Sequence, residues 1–310
     1  MYYDNIINTQ LDLIEESAME QHDNLLTRIQ DGMDTFSKGQ RRIAEFILSQ
    51  YDKAAYITAA KLGATVGVSE STVVRFASEL GYDGYPGMQR ELRSMIRTRL
   101  TAAQRVGVAS DRIAKEDVLQ SVLEADMDNL RASLAEIDKD EFEQIAEAVV
   151  NAKTVYIIGV RSSASLAMFL SFYLNLICGN VRHVQTSTAS ELFEQIFRIG
   201  EGDVLIGISF PRYSKRTLKA IHYAKSRNAT VVSITDSKAS PIAQAADMSL
   251  IARSDMASFV DSLVAPLSVI NALIVAISMK KQGEVVATFE KLEKIWDEYQ
   301  VYEKFDTEGN

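Results

Sequence analysis

Cysteine is almost absent from this 310-residue chain, which contains only Cys178. A single thiol excludes an intramolecular disulfide framework and a cysteine-based zinc site. The neighbours of Cys178 are apolar, so we expect a buried structural thiol in a protein of a reducing, cytoplasmic compartment. We expect neither a metal nor a cofactor.

Long apolar runs are also scarce. The first residues are acidic and lack a secretory signal pattern. The one long apolar run, Leu263 to Met279, contains Pro266 and Asn271 and is marginal in length for a bilayer span. We therefore expect no membrane segment, and we predict that this run forms a helix buried in the core or at a subunit contact.

An overall excess of basic charge is lacking as well. The net charge of -9 argues against a protein that coats nucleic acid over its whole surface. Residues 1–23 hold six carboxylates and no Lys or Arg, whereas residues 24–105 hold 12 Lys and Arg against 8 Asp and Glu. A basic island in an acidic protein predicts a phosphate-binding surface confined to one domain, and a chance fluctuation of surface charge is the alternative.

The basic island contains a pattern of two short helices joined by a tight turn, within Thr58–Pro86. Apolar residues recur at helical spacing up to Gly67, a residue type that ends helices, and Ser69 has the chemistry of an N-cap. A second helix follows over Glu70–Leu80. The spacing predicts a helix-turn-helix whose second helix enters the major groove of DNA.

Helical periodicity divides the second helix into two faces. The face predicted to be buried consists of Val73, Val74, Ala77 and Leu80. The outward residues are short, polar and partly basic, which suits base edges and phosphates better than a hydrophobic partner. The predicted DNA contacts on this helix and its cap are Ser69, Glu70, Ser71, Thr72 and Arg75.

The helix after this pair adds two candidate contacts to the DNA backbone. Arg90 and Arg93 lie three residues apart and therefore share a helix face. An ordinary solvated helix face explains them equally well.

We predict four segments along the chain. Residues 1–24 form an acidic N-terminal extension, and residues 25–100 form the all-α helix-turn-helix domain. Residues 101–117, small and polar in their first half, form a linker. Residues 118–310 form a domain for effector binding and oligomerisation.

The pattern changes in this last segment, where short runs, mostly rich in β-branched residues, alternate with helix-length stretches. Such alternation predicts the α/β class, with a doubly wound five-stranded parallel sheet. The predicted strands are Thr154–Gly159, Val181–Gln185, Asp203–Ser209, Thr230–Thr235 and Met248–Ala252.

Ligands of such sheets bind at the carboxyl ends of the strands. Two predicted strand-end loops carry hydroxyls and positive charge, which together with backbone amides at a helix start form a cradle for phosphate or carboxylate. Each loop alone is explained by a capped helix start, but the pair favours a ligand. The candidate effector-binding residues are Arg161, Ser162 and Ser163 in the first loop and Ser209, Arg212 and Ser214 in the second.

The run VSESTVVRFASELGYDGYP, followed by this strand-rich region, resembles the RpiR/MurR family of bacterial transcriptional regulators over about Leu25–Phe305. The resemblance implies a helix-turn-helix domain followed by a sugar isomerase (SIS) domain of flavodoxin-like fold. It also implies that Ser162 and Ser163 lie in one phosphate-binding loop and Ser209 and Ser214 in another.

The chain departs from this family pattern in both loops. SIS domains commonly have glycine where Arg161 stands, and a Ser-x-Ser-Gly run where this chain has Ser209-Phe210-Pro211-Arg212. Pro211 removes a hydroxyl and an amide donor, while Arg161 and Arg212 add fixed positive charge. A phosphosugar is the implied effector, with a different anionic metabolite as the alternative.

SIS domains also occur in isomerases, which need a base that moves a proton between adjacent carbons. Glu191 and Glu194 are the nearest candidates, and His183 and His222 are the only histidines of the domain. A helix glutamate is usually solvated, so we expect no catalytic residue. The alternatives are a sugar-phosphate isomerase with a regulatory helical domain and a metabolite sensor whose small domain binds protein.

The favoured interpretation is a cytoplasmic, ligand-responsive transcription factor that acts as a homodimer or tetramer. Its partners would be a double-stranded DNA operator and a small anionic effector. The operator should be palindromic, because a symmetric dimer presents two copies of the recognition helix.

Overall fold

The computed structural model describes residues 25–99, 117–185, 188–255 and 260–302. The predicted acidic extension and nearly all of the predicted linker lie outside these ranges. The chain divides into two compact units, Met1–Val108 and Ala109–Asn310.

The described part of the first unit consists of helices around one apolar core. Ser37 caps the second helix in a capping box, where its hydroxyl accepts from the Gln40 backbone and the Gln40 side chain accepts from the Ser37 backbone. Leu25, Ile43, Ile47, Leu62 and Phe76 are fully buried. The helices are α1 (Leu25–Asp31), α2 (Lys38–Ser49), α3 (Tyr51–Ala54), α4 (Ala59–Val66), α5 (Glu70–Glu79) and α6 (Gly84–Arg99).

The predicted helix-turn-helix is formed by α4, a tight turn and α5. Thr58 caps α4, and Gly67 ends it in the left-handed conformation with φ of 71°. Ser69 then caps α5. A Cβ placed on Gly63 would lie 2.8 Å from the carbonyl oxygen of Val68, so a side chain at this position would separate α4 from the turn.

The second unit is built on a parallel five-stranded sheet. All five predicted strands are present, and each end agrees with the prediction to within one residue. Their order across the sheet is β2-β1-β3-β4-β5, the flavodoxin-like order, which reverses between β1 and β3. The strands are β1 (Val155–Gly159), β2 (Val181–Val184), β3 (Val204–Ile208), β4 (Thr230–Thr235) and β5 (Met248–Ile251).

Helices cover both faces of the sheet, as the doubly wound prediction requires. One face packs its inward residues, such as Ile157 and Ile206, against three of the helices. The opposite face, including Ile158 and Leu205, packs against three others. The first set is α8 (Lys139–Val150), α9 (Ser163–Ile177) and α13 (Val264–Lys280), and the second is α10 (Ala189–Ile196), α11 (Lys215–Ser226) and α12 (Pro241–Ala245).

Two further helices complete the unit, namely α7 (Val118–Glu136), which contacts α13, and α14 (Gln282–Glu298), which contacts α9 and α13. The predicted apolar helix is α13, whose Ile270, Leu273 and Ile277 are fully buried in the core. Among the described residues no single helix meets the length and hydropathy of a membrane span. Taken together α13 and α14 do so, with a bend of 98° between them.

Candidate DNA-binding face and effector cavity

The outward face of α5 carries most of the predicted DNA contacts. Ser69, Glu70, Ser71 and Arg75 are exposed. Thr72 is only half-exposed, and its hydroxyl lies 2.8 Å from the Ser69 hydroxyl. Thr72 therefore helps to hold the cap at the start of the helix.

The buried face of α5 differs from the prediction at three positions. Leu80, predicted to be buried, is half-exposed and lies just after the helix as its C-cap. Val74, predicted to be buried, is 38% exposed, and Phe76, which the prediction left out, is fully buried and packs edge-on against Phe36. The buried stripe is Val73, Phe76 and Ala77, at i, i+3 and i+4. Val74 lies on the far side of this stripe, so helical geometry turns it to solvent.

The two arginines of α6 have different surroundings. Arg90 is exposed. The Arg93 guanidinium donates to the carbonyl of Ala55 at 2.9 Å and to the side chain of Gln89 at 3.1 Å, and it stacks over the Tyr56 ring. These contacts give Arg93 a role within the domain without any DNA.

A cavity of about 430 Å³ lies at the carboxyl ends of β1 and β3. Val160 and Arg161 line it from the loop after β1, and Ser214, Lys215 and Arg216 line it from the start of α11. The two predicted loops therefore share one cleft, where the strand order reverses. The other four candidates belong to the same two loops but not to the described lining of the cavity. They are Ser162, Ser163, Ser209 and Arg212.

The sequence-based site omitted Lys215 and Arg216, although they add cationic charge to the cavity wall. Both follow the capping Ser214 and occupy the first turn of α11. Basic residues directly after an N-cap in a strand-end loop are the signal that could have identified them, because side chains of a first helical turn lie beside the strand ends.

Arg161 and Arg212 occupy equivalent and unusual backbone conformations. Their φ angles are 60° and 58°, in the left-handed region that favours glycine. These are the two positions at which the family resemblance implies glycine. Both side chains are exposed. Each loop thus keeps a glycine-like turn while placing a guanidinium beside the strand end.

The four serines divide into two pairs with different local roles. Ser209 Oγ accepts from the Ser214 backbone at 2.9 Å, and Ser214 Oγ accepts from the Thr217 backbone at 3.4 Å, so both hydroxyls shape the second loop. Ser162 stands at the start of α9 without making a side-chain cap. Ser163 is buried. The capped-helix explanation therefore accounts for Ser214 but not for Ser162.

Close packing fixes the start of α9 against β1. A Cβ placed on Gly159 would lie 2.3 Å from the carbonyl oxygen of Ser163. Only glycine fits at the end of this strand, so the helix start and its backbone amides lie directly beside the cavity loop.

The candidate proton-transfer groups lie outside the described cavity wall. Glu191 closes a capping box, where its carboxylate accepts from the Thr188 backbone at 3.1 Å. Glu194 is exposed. His183 lies 3.0 Å from the Gln185 side chain, and burial lowers the pKa of His183 and of His222.

Two family models match the chain in the order of its two units. A model described as "Helix-turn-helix domain, rpiR family" matches residues 23–99, and a SIS domain model matches residues 148–276. The chain has the domain architecture of the RpiR family. It is a transcriptional regulator with a helix-turn-helix domain and a SIS domain.

Two relatives named as HTH-type transcriptional regulators are similar to this chain over most of its length. The chain is 27% identical over 285 residues to an uncharacterised HTH-type transcriptional regulator of Caldanaerobacter subterraneus subsp. tengcongensis, covering 88% of this chain and 96% of the relative. It is 25% identical over 271 residues to the HTH-type transcriptional regulator HexR of Pseudomonas aeruginosa, covering 83% and 90%.

Two solved structures show the same fold over the parts of the chain that they cover. One is the sugar isomerase domain of an RpiR transcription factor from Sphaerobacter thermophilus, with a TM-score of 0.56 and 26% identity, covering 58% of this chain and 99% of that chain. The other is the Vibrio vulnificus NanR protein complexed with ManNAc-6P, with a TM-score of 0.55 and 22% identity, covering 89% and 99%.

Proposed function

We propose that the SIS domain of this regulator binds a phosphosugar or a related anionic metabolite and thereby changes the affinity of the helix-turn-helix domain for its operator. The observation that carries this proposal is the cavity at the β1 and β3 ends, lined from both loops. A volume of about 430 Å³ falls within the usual range for small-molecule sites.

The chemistry of the cavity wall suits an anion. Arg161, Lys215 and Arg216 supply positive charge, and no carboxylate belongs to its described lining. The start of α9 supplies backbone amides, and the positive end of the helix dipole favours a phosphate there. The hydroxyls of Ser162 and Ser163 stand at that helix start and can donate to phosphate oxygens.

Of the predicted DNA contacts, the exposed residues Ser69, Glu70, Ser71 and Arg75 form the proposed DNA face, with Arg90 as a candidate phosphate contact. In a homodimer or tetramer two such faces would read a palindromic operator. An effector that binds one arrangement of the subunits better than another shifts the population toward that arrangement. Bound effector would then change the spacing of the recognition helices. The regulator would act in the cytoplasm.

The test uses the full-length protein and a duplex operator obtained by selection from a randomised DNA library. A panel of phosphosugars and other anionic metabolites is screened for thermal stabilisation, since binding to the native state raises the unfolding temperature. A hit should change operator affinity. Ser163→Ala should reduce this response and leave operator affinity without effector intact.

The matched control is Ser226→Ala, which removes an exposed hydroxyl that donates to the Tyr223 carbonyl at the end of α11. It should leave the effector response unchanged. A full response in Ser163→Ala would place the effector elsewhere, and the absence of any stabilising anion would contradict the proposal.

Turnover of the effector is not expected. The Glu191 carboxylate is engaged in a helix cap and Glu194 is solvated, so neither is a base held against a ligand in the cavity. Incubation with each binding phosphosugar, followed by NMR, should return it unchanged. Steady conversion to an isomer would instead support the enzyme alternative.

A further inference from the structure

The solvent face of the recognition helix contains one apolar side chain. Val74 is 38% exposed, and among residues 25–99 it is the only large hydrophobic side chain of the described surface that is this open. Its neighbours on the helix surface are all exposed. Ser71 and Ser78 lie three and four positions away, and Arg75 is the next residue in the sequence. The apolar group therefore lies on the surface predicted to contact DNA.

This valine is not one of the buried residues of the helix, and 38% of it remains open to solvent. The buried stripe of α5 is complete with Val73, Phe76 and Ala77, and Val74 points away from it. A valine in a helix also holds its two methyl groups in one strongly preferred rotamer. The recognition helix thus presents a conformationally restricted apolar group to solvent.

The polar neighbours of Val74 are partly engaged within the helix. Ser78 Oγ donates to the carbonyl of Val74 at 3.3 Å, and Ser71 Oγ lies 2.9 Å from the Ser69 hydroxyl. Arg75 supplies the long cationic side chain. Val74 and Arg75 therefore offer two different kinds of contact side by side, one apolar and one charged.

The major groove offers one apolar group to such a surface, the C5-methyl group of thymine. We propose, on the basis of the operator-binding function proposed above, that Val74 is a specificity-determining residue that packs its methyl groups on a thymine methyl in each operator half-site. The contact would discriminate thymine from cytosine, whose C5 position carries no methyl group in unmodified DNA.

The experiment uses full-length protein and an operator duplex selected from a randomised library. Each thymine of one half-site is replaced in turn by deoxyuridine, which removes only the methyl group. Binding is measured for the wild type, Val74→Ala and Val74→Ile. At one thymine, replacement by deoxyuridine should lower the affinity of the wild type about fourfold, which is the effect expected for one buried methyl group.

In Val74→Ala the same replacement should have almost no effect, because the protein surface that covered the methyl group is gone. Val74→Ile keeps a branched apolar side chain and should retain the sensitivity. Deoxyuridine at the other thymines should act equally on all three proteins. Since Val74 is exposed and alanine favours helix, Val74→Ala should fold, and its unfolding temperature checks this.

Salt dependence separates this contact from a phosphate contact. Val74→Ala should leave the slope of log affinity against log salt unchanged, because no counterion is released by a methyl contact. The proposal is overturned if the selected half-site contains no methyl-sensitive thymine, or if the sensitivity persists in Val74→Ala. Equal weakening of Val74→Ala on thymine and uracil duplexes would instead assign Val74 to a protein contact.

Discussion

Two arginines, Arg161 and Arg212, have the left-handed backbone conformation that favours glycine, with φ angles of 60° and 58°. A side chain in the left-handed region costs about 1 kcal/mol relative to glycine. Backbone strain of this kind concentrates at ligand sites, where the gain in binding outweighs the loss in stability. Both residues follow strands that end at the cavity, which favours a role for the guanidinium groups in holding the effector.

Arg161→Gly should therefore separate stability from function. We expect the free energy of unfolding of the SIS domain to rise by about 0.5–1 kcal/mol, because relief of the left-handed strain exceeds the entropy that glycine adds to the unfolded chain. Affinity for the stabilising anion should fall, since a charged hydrogen-bond donor is lost. Chemical denaturation and calorimetric titration measure the two effects.

Asn228→Gly provides the matched control. Asn228 also has φ of 60°, but it lies at the end of α11 and its residue type tolerates this conformation. Its replacement should change stability less and leave effector affinity unchanged. An Arg161→Gly protein that is less stable, or that binds effector as well as the wild type, would contradict the strain argument.

Arg75 is the cation at the centre of the predicted DNA face. Arg75→Ala should weaken operator binding by about 1–3 kcal/mol if the guanidinium contacts a base or a phosphate. Arg131→Ala is the control, because Arg131 forms an exposed ion pair with Asp128 in the other unit. Electrophoretic mobility shifts at several salt concentrations give the result, and unchanged affinity would remove Arg75 from the interface.

The salt series also distinguishes the two kinds of contact that Arg75 could make. Loss of a phosphate contact lowers the slope of log affinity against log salt by about one, whereas loss of a base contact changes the affinity mainly on the cognate sequence. A protein-binding helix, the alternative raised by the sequence, would show little salt dependence in the wild type.

Single residues were harder to predict than their elements. Val74 was assigned to the buried face because its residue type is apolar, while Phe76 supplies the buried stripe instead. Arg93 was a candidate DNA contact because it shares a face with Arg90, and its guanidinium also donates to the Ala55 carbonyl within the domain, a contact that periodicity does not predict. Periodicity gives the direction of a face to within one residue, and tertiary contacts decide the rest.

At the scale of elements, the sequence predicted most of the fold. Buried parallel strands are continuous apolar runs, so β1, β3 and β4 stand out from their surroundings. Both ends of the recognition helix were predicted to within one residue. Gly67 ends the preceding helix and Ser69 caps the recognition helix, and both residue types are specific to these positions. The strand order across the sheet depends on long-range packing, and only the family resemblance implied it.

Tyr85 shows how one element is fixed to its neighbours. Its hydroxyl, buried at the start of α6, donates to the carbonyls of Ala54 at 3.0 Å and Ile57 at 2.9 Å. These bonds hold α6 against the segment between α3 and α4. Tyr85→Phe should lower the free energy of unfolding of the helix-turn-helix domain by about 1–2 kcal/mol, measured by chemical denaturation at pH 7.

The pH dependence gives this prediction a second measurement. Burial, opposed by the charge of Arg93, raises the pKa of Tyr85 from 10.0 to about 12. The neutral phenol therefore stabilises the folded state fully below pH 10, and this contribution is lost as the pH rises toward 12. Tyr85→Phe should remove that alkaline loss. Equal alkaline destabilisation of both proteins would show that other groups cause it.

At the scale of the whole molecule, both faces of the central sheet are covered within one chain, yet apolar surface remains on the outer helices. Met279 of α13 is 73% exposed, and Leu119 and Leu134 of α7 are also exposed. Because these two helices contact one another, we propose that their exposed apolar residues contribute to a surface for another copy of this chain. The inward side of α13 is core, so the two alternatives for the apolar run, core and subunit contact, are compatible.

We expect the protein to be a homodimer or tetramer at micromolar concentration, and Met279→Glu should shift it toward monomer by placing a charge in an apolar contact. Ser226→Glu adds the same charge at an exposed site of α11, on the opposite face of the sheet, and should leave assembly unchanged. Sedimentation velocity measures both. Dissociated Met279→Glu should also bind a two-half-site operator more weakly, because its recognition helices no longer bind as a linked pair. A monomeric wild type would contradict the symmetric-operator argument as well as the proposed interface.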